Sequence, residues 1–270
     1  MSTVDLSMVD PAIGVPKPDP IVVVDGVVKA FGGLRAVSVD HLEFQRGAIT
    51  ALIGPNGAGK TTLFNQLTGF DRPDRGRWNL DGRELSGRSP ARIARLGMVR
   101  TFQLTKSLSR MTVLENMKLA AVDQRGERIA FALFPHFWRS EERASERRAD
   151  DLLDRFKLDH LRDEYAGTLS GGQRKLLEMA RALMTEPRVL MLDEPMAGVN
   201  PALTQSLLEH VKALRDEGMT IVFVEHDMDV VAEISDWVVC LAQGSVIAEG
   251  VSSAVAANDA VIEAYLGVSS

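Results

Sequence analysis

Gly54, Pro55, Asn56, Gly57, Ala58, Gly59, Lys60 and Thr61 satisfy the pattern G-x-x-x-x-G-K-[ST], and they stand between an apolar run, Ala48 to Ile53, and a stretch of helical character beginning at Lys60. That placement matters as much as the pattern, because the loop cradles phosphate only when it joins a buried strand to a helix N-terminus. Glycines let backbone N–H groups turn inward around a phosphate, and the helix dipole favours the anion. Lys60 supplies a positive charge, and the Thr61 hydroxyl is a ligand of the kind Mg²⁺ takes. A fold carrying this loop is constrained to α/β.

The rest of the chain agrees. Ile21 to Val24, Val39 to Phe44 and Ala48 to Ile53 read as strands, the last fully buried. Arg77 to Leu80 ends at the turn pair Asp81-Gly82, and Ser89 to Leu96 reads as a short helix with Pro90 at its first position. Met98 to Phe102 is strand-like. From Thr112 to about Phe156 the sequence turns helical and charge-rich, with Glu115 three residues after Thr112 in capping-box spacing. Beyond Ser170 strands and helices alternate: helix to Met184, strand Val189 to Leu192, helix Ala202 to Glu217, strand Thr220 to Val224, helix Asp227 to Ile234. Such alternation predicts a parallel sheet wound with crossover helices. Trp237 to Leu241 and Val246 to Glu249, split by Gln243-Gly244, predict an antiparallel hairpin. Residues 1–20, with Pro11, Pro16, Pro18 and Pro20 among polar neighbours, are expected to form a mobile tail.

Composition sets bounds on function. The net charge of -6 argues against a dedicated nucleic-acid binder, although a local basic face is compatible with an acidic total. Cys240 is the single cysteine, which excludes an intramolecular disulfide and a cysteine-built metal site. No uninterrupted apolar run approaches the roughly 20 residues that span a bilayer, so a membrane link is expected to come through a partner.

Val189 to Leu192 leads directly into Asp193-Glu194, two carboxylates at the end of a central strand, where open α/β sheets place their ligands. Successive side chains at a strand end point apart, so Asp193 can serve Mg²⁺ through water while Glu194 polarises an attacking water. An acidic pair in this place also serves as a helix N-cap or a solvated turn. Ser170 and Gln173 have capping-box spacing, and a capped helix N-terminus open to solvent is also an anion site.

Leu169-Ser170-Gly171-Gly172-Gln173 resembles the signature motif of ATP-binding-cassette ATPases, and the remaining motifs follow in that family's order. The resemblance implies a P-loop NTPase fold: a RecA-like parallel-sheet core with an antiparallel β subdomain (21–103 and 187–270), and an inserted helical subdomain bearing the signature (104–186). It implies bound ATP and Mg²⁺, with Thr62 joining the loop residues as a nucleotide contact. Gln103 matches the glutamine that touches Mg²⁺ and the attacking water, and His226 matches the switch histidine at the γ-phosphate. Phe31 takes the place of the adenine-stacking aromatic, usually a tyrosine. Asn200 in Ala197-Gly198-Val199-Asn200-Pro201 stands where many members carry aspartate.

In the family, Ser170, Gly171, Gly172 and Gln173 would face the nucleotide of a second cassette, identical or paralogous, so two chains would sandwich two ATP molecules. The resemblance further implies transmembrane permease subunits, an extracytoplasmic substrate-binding protein acting through them, and a peripheral position on the cytoplasmic face of the cell membrane. Leu104, Leu108 and Met111 would help receive the permease's coupling helix or pack within the helical arm. The apolar run over residues 129–138 reads as a buried amphipathic turn in preference to a membrane-surface contact, because Glu127, Glu141 and Glu142 would sit poorly beside anionic lipid. Phe31 to Val37, Val99 to Gln103, Ala197 to Pro201 and Val261 to Gly267 look like the branched-chain amino-acid uptake branch. Urea-type uptake and lipopolysaccharide-export ATPases are similar, and soluble nucleic-acid-maintenance ATPases share the motifs but split them with a long coiled coil.

Overall fold

The computed structural model describes residues 5–101, 108–121 and 135–266. The elements in chain order are β1 (Pro20–Phe31), β2 (Leu34–Gln45), β3 (Ile49–Ile53), α1 (Lys60–Leu67), β4 (Arg75–Leu80), β5 (Arg83–Glu84), α2 (Pro90–Arg95) and β6 (Met98–Arg100). They continue with α3 (Val113–Ala120), α4 (Pro135–Arg155), α5 (Gly171–Leu183), β7 (Val189–Asp193), α6 (Pro201–Asp216), β8 (Thr220–Val224) and α7 (Met228–Ile234). The chain closes with β9 (Trp237–Ala242), β10 (Ser245–Gly250), α8 (Ser252–Ala256) and α9 (Asp259–Leu266).

Two sheets form. One has six strands in the order β10-β9-β3-β8-β7-β6, with every pair parallel except β10 on β9. The other is antiparallel, in the order β2-β1-β4-β5. Every residue of β3 and β8 is buried, as β-rich apolar runs in the middle of a parallel sheet must be. The hairpin expected near Gln243-Gly244 is present, and both turn residues have positive φ, 48° and 82°, the geometry of a type I′ turn. β1 and β2 run longer than their apolar stretches suggested, because Gly32-Gly33 closes them into a hairpin paired out to Phe31 and Leu34.

Contacts divide the chain into two compact units. The first, residues 1–100, 188–197 and 208–270, contains both sheets. The second, residues 101–187 and 198–207, is helical. The start of α6 belongs with the helical unit for a packing reason: a Cβ on Gly172 would meet the Leu203 side chain at 1.6 Å. In that unit α3 and α5 both start with complete capping boxes, Thr112 with Glu115 and Ser170 with Gln173.

The N-terminal stretch departs from expectation. Residues 5–19 do not trail away from the core: Leu6 is 3% exposed, and Lys17 lies in a site closed to solvent, its ammonium 2.9 Å from Glu249 Oε2 and 4.5 Å from the centre of the Trp237 ring. Glu249 also accepts from Gly14 N (2.5 Å) and Trp237 Nε1 (2.9 Å). Proline-rich composition predicts poor core packing, but one fully partnered ion pair anchors this segment to β9 and β10. Pro20 itself is the first residue of β1.

Candidate functional site

Three neighbouring strands of the parallel sheet, β3, β8 and β7, end side by side, with Leu52 opposite Val224 and Val224 opposite Asp193. Their C-terminal ends therefore bring together Gly54 at the start of the loop, Glu225-His226, and Asp193-Glu194. This is the edge where doubly wound sheets bind ligands.

The loop leaves β3 through Gly54 and enters α1 through Gly59. Gly54 has φ +143°, and a Cβ there would lie 2.1 Å from the Leu241 carbonyl oxygen. Gly59 is the N-cap of α1 with φ +102°, and a Cβ there would meet the Ala36 carbonyl at 2.3 Å. Only glycine fits either position. No side chain caps α1, so its first N–H groups are left for a ligand, the arrangement that makes a helix start an anion site. The β9–β10 turn holds the loop: Gly244 N donates to Ala58 O (3.0 Å), and Ser38 N of β2 in turn donates to Gly244 O (2.7 Å).

Lys60 Nζ donates to the Gly54 carbonyl at 2.5 Å and the Pro55 carbonyl at 3.1 Å. Burial pulls its pKa below the ordinary lysine value, and the negative charge of Glu194 pulls the other way. A partly desolvated cation held by two neutral carbonyls gains from meeting a phosphate instead. Thr61 is exposed and Thr62 half-buried in the first turn of α1.

Asp193 is half-buried and Glu194 exposed at the end of β7. Glu194 has φ 46°, a left-handed conformation that breaks the strand, while its N–H still reaches Val224 O at 3.1 Å. Asp193 carries a partner that motif spacing did not disclose: the Arg100 guanidinium forms an ion pair with it, binds Asn65 Oδ1 at 2.6 Å and lies 5.7 Å from the Phe64 ring centre. Arg100 thus joins the end of β6, α1 and the carboxylate strand. His226 is exposed, whereas the adjacent Glu225 is 1% exposed and accepts from Met196 N (3.1 Å) and His226 N (3.2 Å). Phe31 projects from the tip of the β1–β2 hairpin, 53% exposed, with Lys29 Nζ 5.2 Å from its ring centre.

Asp193 and the Thr61 hydroxyl form a sparse set of hard oxygen donors, which fits Mg²⁺, an ion that usually keeps several waters and takes the rest of its ligands from substrate phosphates. A cation arriving there would compete with Arg100 for Asp193.

In the helical unit, the Ser170 side chain accepts from Gln173 N (3.3 Å) and Gln173 Oε1 accepts from Ser170 N (2.8 Å). Ser170 and Gly171 are exposed and Gly172 is buried, so the helix start faces solvent with its second residue packed. Gln103 and Leu104 lie outside the described residues, as do residues 129–134 of the apolar run. Among the described residues no helix is long and apolar enough to cross a membrane.

A family model described as ABC transporter matches residues 37–197, more than half of the 270 residues, and one described as branched-chain amino acid ATP-binding cassette transporter matches residues 245–269. A probable branched-chain amino acid transport ATP-binding protein of Archaeoglobus fulgidus is 45% identical over 88% of this chain and 92% of its own length. A high-affinity branched-chain amino acid transport ATP-binding protein of Pseudomonas aeruginosa is 44% identical over 92% of this chain and 98% of its own. The crystal structure of a nucleotide-free ATP-binding cassette from an ABC transporter superimposes with a TM-score of 0.81 at 38% identity, covering 91% of this chain and 98% of that one. An ADP-bound cassette gives 0.80 at 36% identity, covering 92% and 99%. The strand-edge cluster around a glycine-lined loop and these matches lead to one conclusion: the chain belongs to the ABC transporter family, as an ATP-hydrolysing nucleotide-binding cassette.

Proposed function

We propose that this chain energises the uptake of branched-chain amino acids by a membrane importer, bound to the cytoplasmic side of permease subunits and paired with a second cassette, identical or paralogous. The observation that carries the cargo assignment is the identity of 38–45% to branched-chain amino acid transport ATP-binding proteins along nearly the full length of both partners. The pairing is what the family resemblance implies: one chain has one loop at Gly54–Thr61 and one signature at Ser170–Gln173, and in the family a signature faces the nucleotide of the second cassette.

In the proposed cycle Lys60, Gln103 and His226 hold the γ-phosphate of ATP from one chain, and Ser170, Gly171 and Gly172 of the second chain hold it from the other side. Gln173 secures that helix start, Phe31 stacks on the adenine, and Thr61 and Asp193 would hold Mg²⁺, which supplies charge neutralisation at the phosphates. Thr62 lies where a further phosphate contact is expected. Glu194 accepts a proton from the attacking water, and the remaining groups position and neutralise developing charge, which is most of what phosphoryl transfer requires. ATP then links two surfaces, and its hydrolysis releases them. An extracytoplasmic binding protein delivers the cargo to the permease.

The test is Glu194→Gln in the transporter purified with its permease and reconstituted in vesicles. The amide keeps the shape of the carboxylate but is no base, so ATP binding persists while hydrolysis falls by about a hundredfold or more. Hydrolysis within about threefold of wild type would remove Glu194 from this role. In the same vesicles, ATP consumption that leucine, isoleucine and valine leave unchanged, with their binding protein present, would sink the cargo assignment.

A further inference from the structure

The loop's first residue is held by a group far away in sequence. Gly54 N donates to the phenol oxygen of Tyr265 at 2.9 Å, across 211 residues. Tyr265 lies in α9, the last described helix, which is anchored by Val261 at 4% exposure. The carbonyl of the same Gly54 accepts from Lys60 Nζ at 2.5 Å. One residue is therefore fastened on one side to the C-terminal helix and on the other to the cation that is to meet phosphate.

The position is where the β3 ladder stops. β3 pairs with β9 up to Ile53 opposite Cys240, and Gly54 follows with φ +143° in contact with the Leu241 carbonyl. A backbone N–H at the last step before a loop, buried with the rest of Gly54, needs an acceptor, and Tyr265 supplies it. The surroundings are dry: burial raises the pKa of Tyr265 and pushes that of Cys240 up to about 11. In such a site a hydrogen bond is stronger than in water and its loss leaves an N–H without a substitute.

We propose that Tyr265 is a positioning residue of the nucleotide site: its hydroxyl fixes the Gly54 peptide, so the C-terminal helix sets how tightly the loop receives phosphate. In this reading Tyr265 acts through Gly54 and not on the reacting atoms. It acts by keeping the free loop in the conformation that binds, a preorganisation whose loss appears as weaker affinity. This inference rests on the reading of Gly54–Thr61 as the phosphate site.

Tyr265→Phe removes one oxygen and keeps the ring. In the full chain, calorimetry with MgATP is expected to show Kd raised about fivefold, the value of one neutral hydrogen bond. In the transporter assembled with its permease, KM for ATP rises similarly with kcat within about twofold. Amide exchange of the peptide spanning residues 52–58, read without nucleotide, is expected to be faster. Lys60→Ala, run in parallel, must lose most of its MgATP affinity. A Tyr265→Phe chain with wild-type Kd and KM, beside a Lys60→Ala chain that no longer binds, overturns the role of Tyr265 whether or not exchange or melting changes. A Lys60→Ala chain that binds like wild type overturns the phosphate-site reading, and Tyr265 with it.

Discussion

Replacing Lys17 with methionine tests the least expected feature of the fold, the attachment of residues 5–19 to the core. The Lys17 ammonium and the Glu249 carboxylate are 2.9 Å apart with both side chains 0% exposed. Lys17 Nζ also donates to Val15 O (2.9 Å), and its N–H donates to Glu43 Oε2 (2.6 Å). Lys17→Met keeps the length of the apolar stem and deletes the charge, leaving Glu249 as a buried anion held only by Gly14 N and Trp237 Nε1. Breaking one side of a buried, satisfied pair costs about 3–5 kcal/mol. In a chain of this size each kcal/mol lowers the melting temperature by about 2–4 °C, so the variant is expected to melt roughly 10 °C below wild type. Differential scanning fluorimetry reads the shift. Glu249→Gln strands the ammonium instead and is expected to destabilise by a similar amount, while the double variant recovers more than half of the loss, because a neutral pair replaces two charges. A Lys17→Met chain melting within about 2 °C of wild type would refute the docked segment and restore the free tail that the prolines suggested.

Two further outcomes are expected. Gly59→Ala should fold but bind MgATP at least about tenfold more weakly by calorimetry, because its methyl would lie 2.3 Å from the Ala36 carbonyl at φ +102° and the loop must shift to clear it. At His41 burial opposes the charged ring, but Asp25 (2.7 Å) and Glu43 (3.2 Å) outweigh it and hold the pKa above the usual histidine value. Its stabilisation is thus complete below about pH 6.5 and lost as pH rises through the elevated folded value, so the fall in melting temperature from about pH 6 to pH 8 should be smaller in His41→Gln than in wild type.

What the sequence made legible was chemistry that closes over short distances. The loop at Gly54–Thr61, the strand ending in Asp193-Glu194, both capping boxes and the Gln243-Gly244 turn each rest on residues within a few positions of one another, and each is where its spacing placed it. Partnerships across the fold left no such trace. Arg100 meets Asp193 over 93 residues, Lys17 meets Glu249 over 232, and Tyr265 meets Gly54 over 211. A periodic pattern reports which face of an element is buried, but it does not report which remote polar group shares that burial. The same limit explains β1 and β2: Val22, Val24 and Val27 advertise a strand, whereas its extension to Phe31 depends on pairing with β2 through the Gly32-Gly33 turn. Arg100 and Tyr265 did stand inside stretches noted for family resemblance, and their charge and hydroxyl were the only signals present.

Glu225 shows why these remote links bear on the reaction. A carboxylate at 1% exposure is costly unless it is hydrogen-bonded, and here both oxygens are used: Oε1 by Met196 N and Oε2 by His226 N. Met196 lies two residues beyond Glu194, so the loop carrying the proposed base and the loop carrying the proposed phosphate sensor are tied to one buried side chain. Neither backbone can move far without exposing or stranding that carboxylate. His226 Nδ1 also lies 3.8 Å from Glu225 Oε2, so in the proposed cycle a displacement of His226 would be passed through Glu225 to the loop that carries Glu194. Tyr265 does the same for the loop's first peptide, and Arg100 for Asp193. In the proposed cycle the short motifs would supply the groups that meet ATP, and long-range pairs from β6, β8 and α9 would hold those groups in one arrangement, which is the condition for electrostatic catalysis to work without reorganisation.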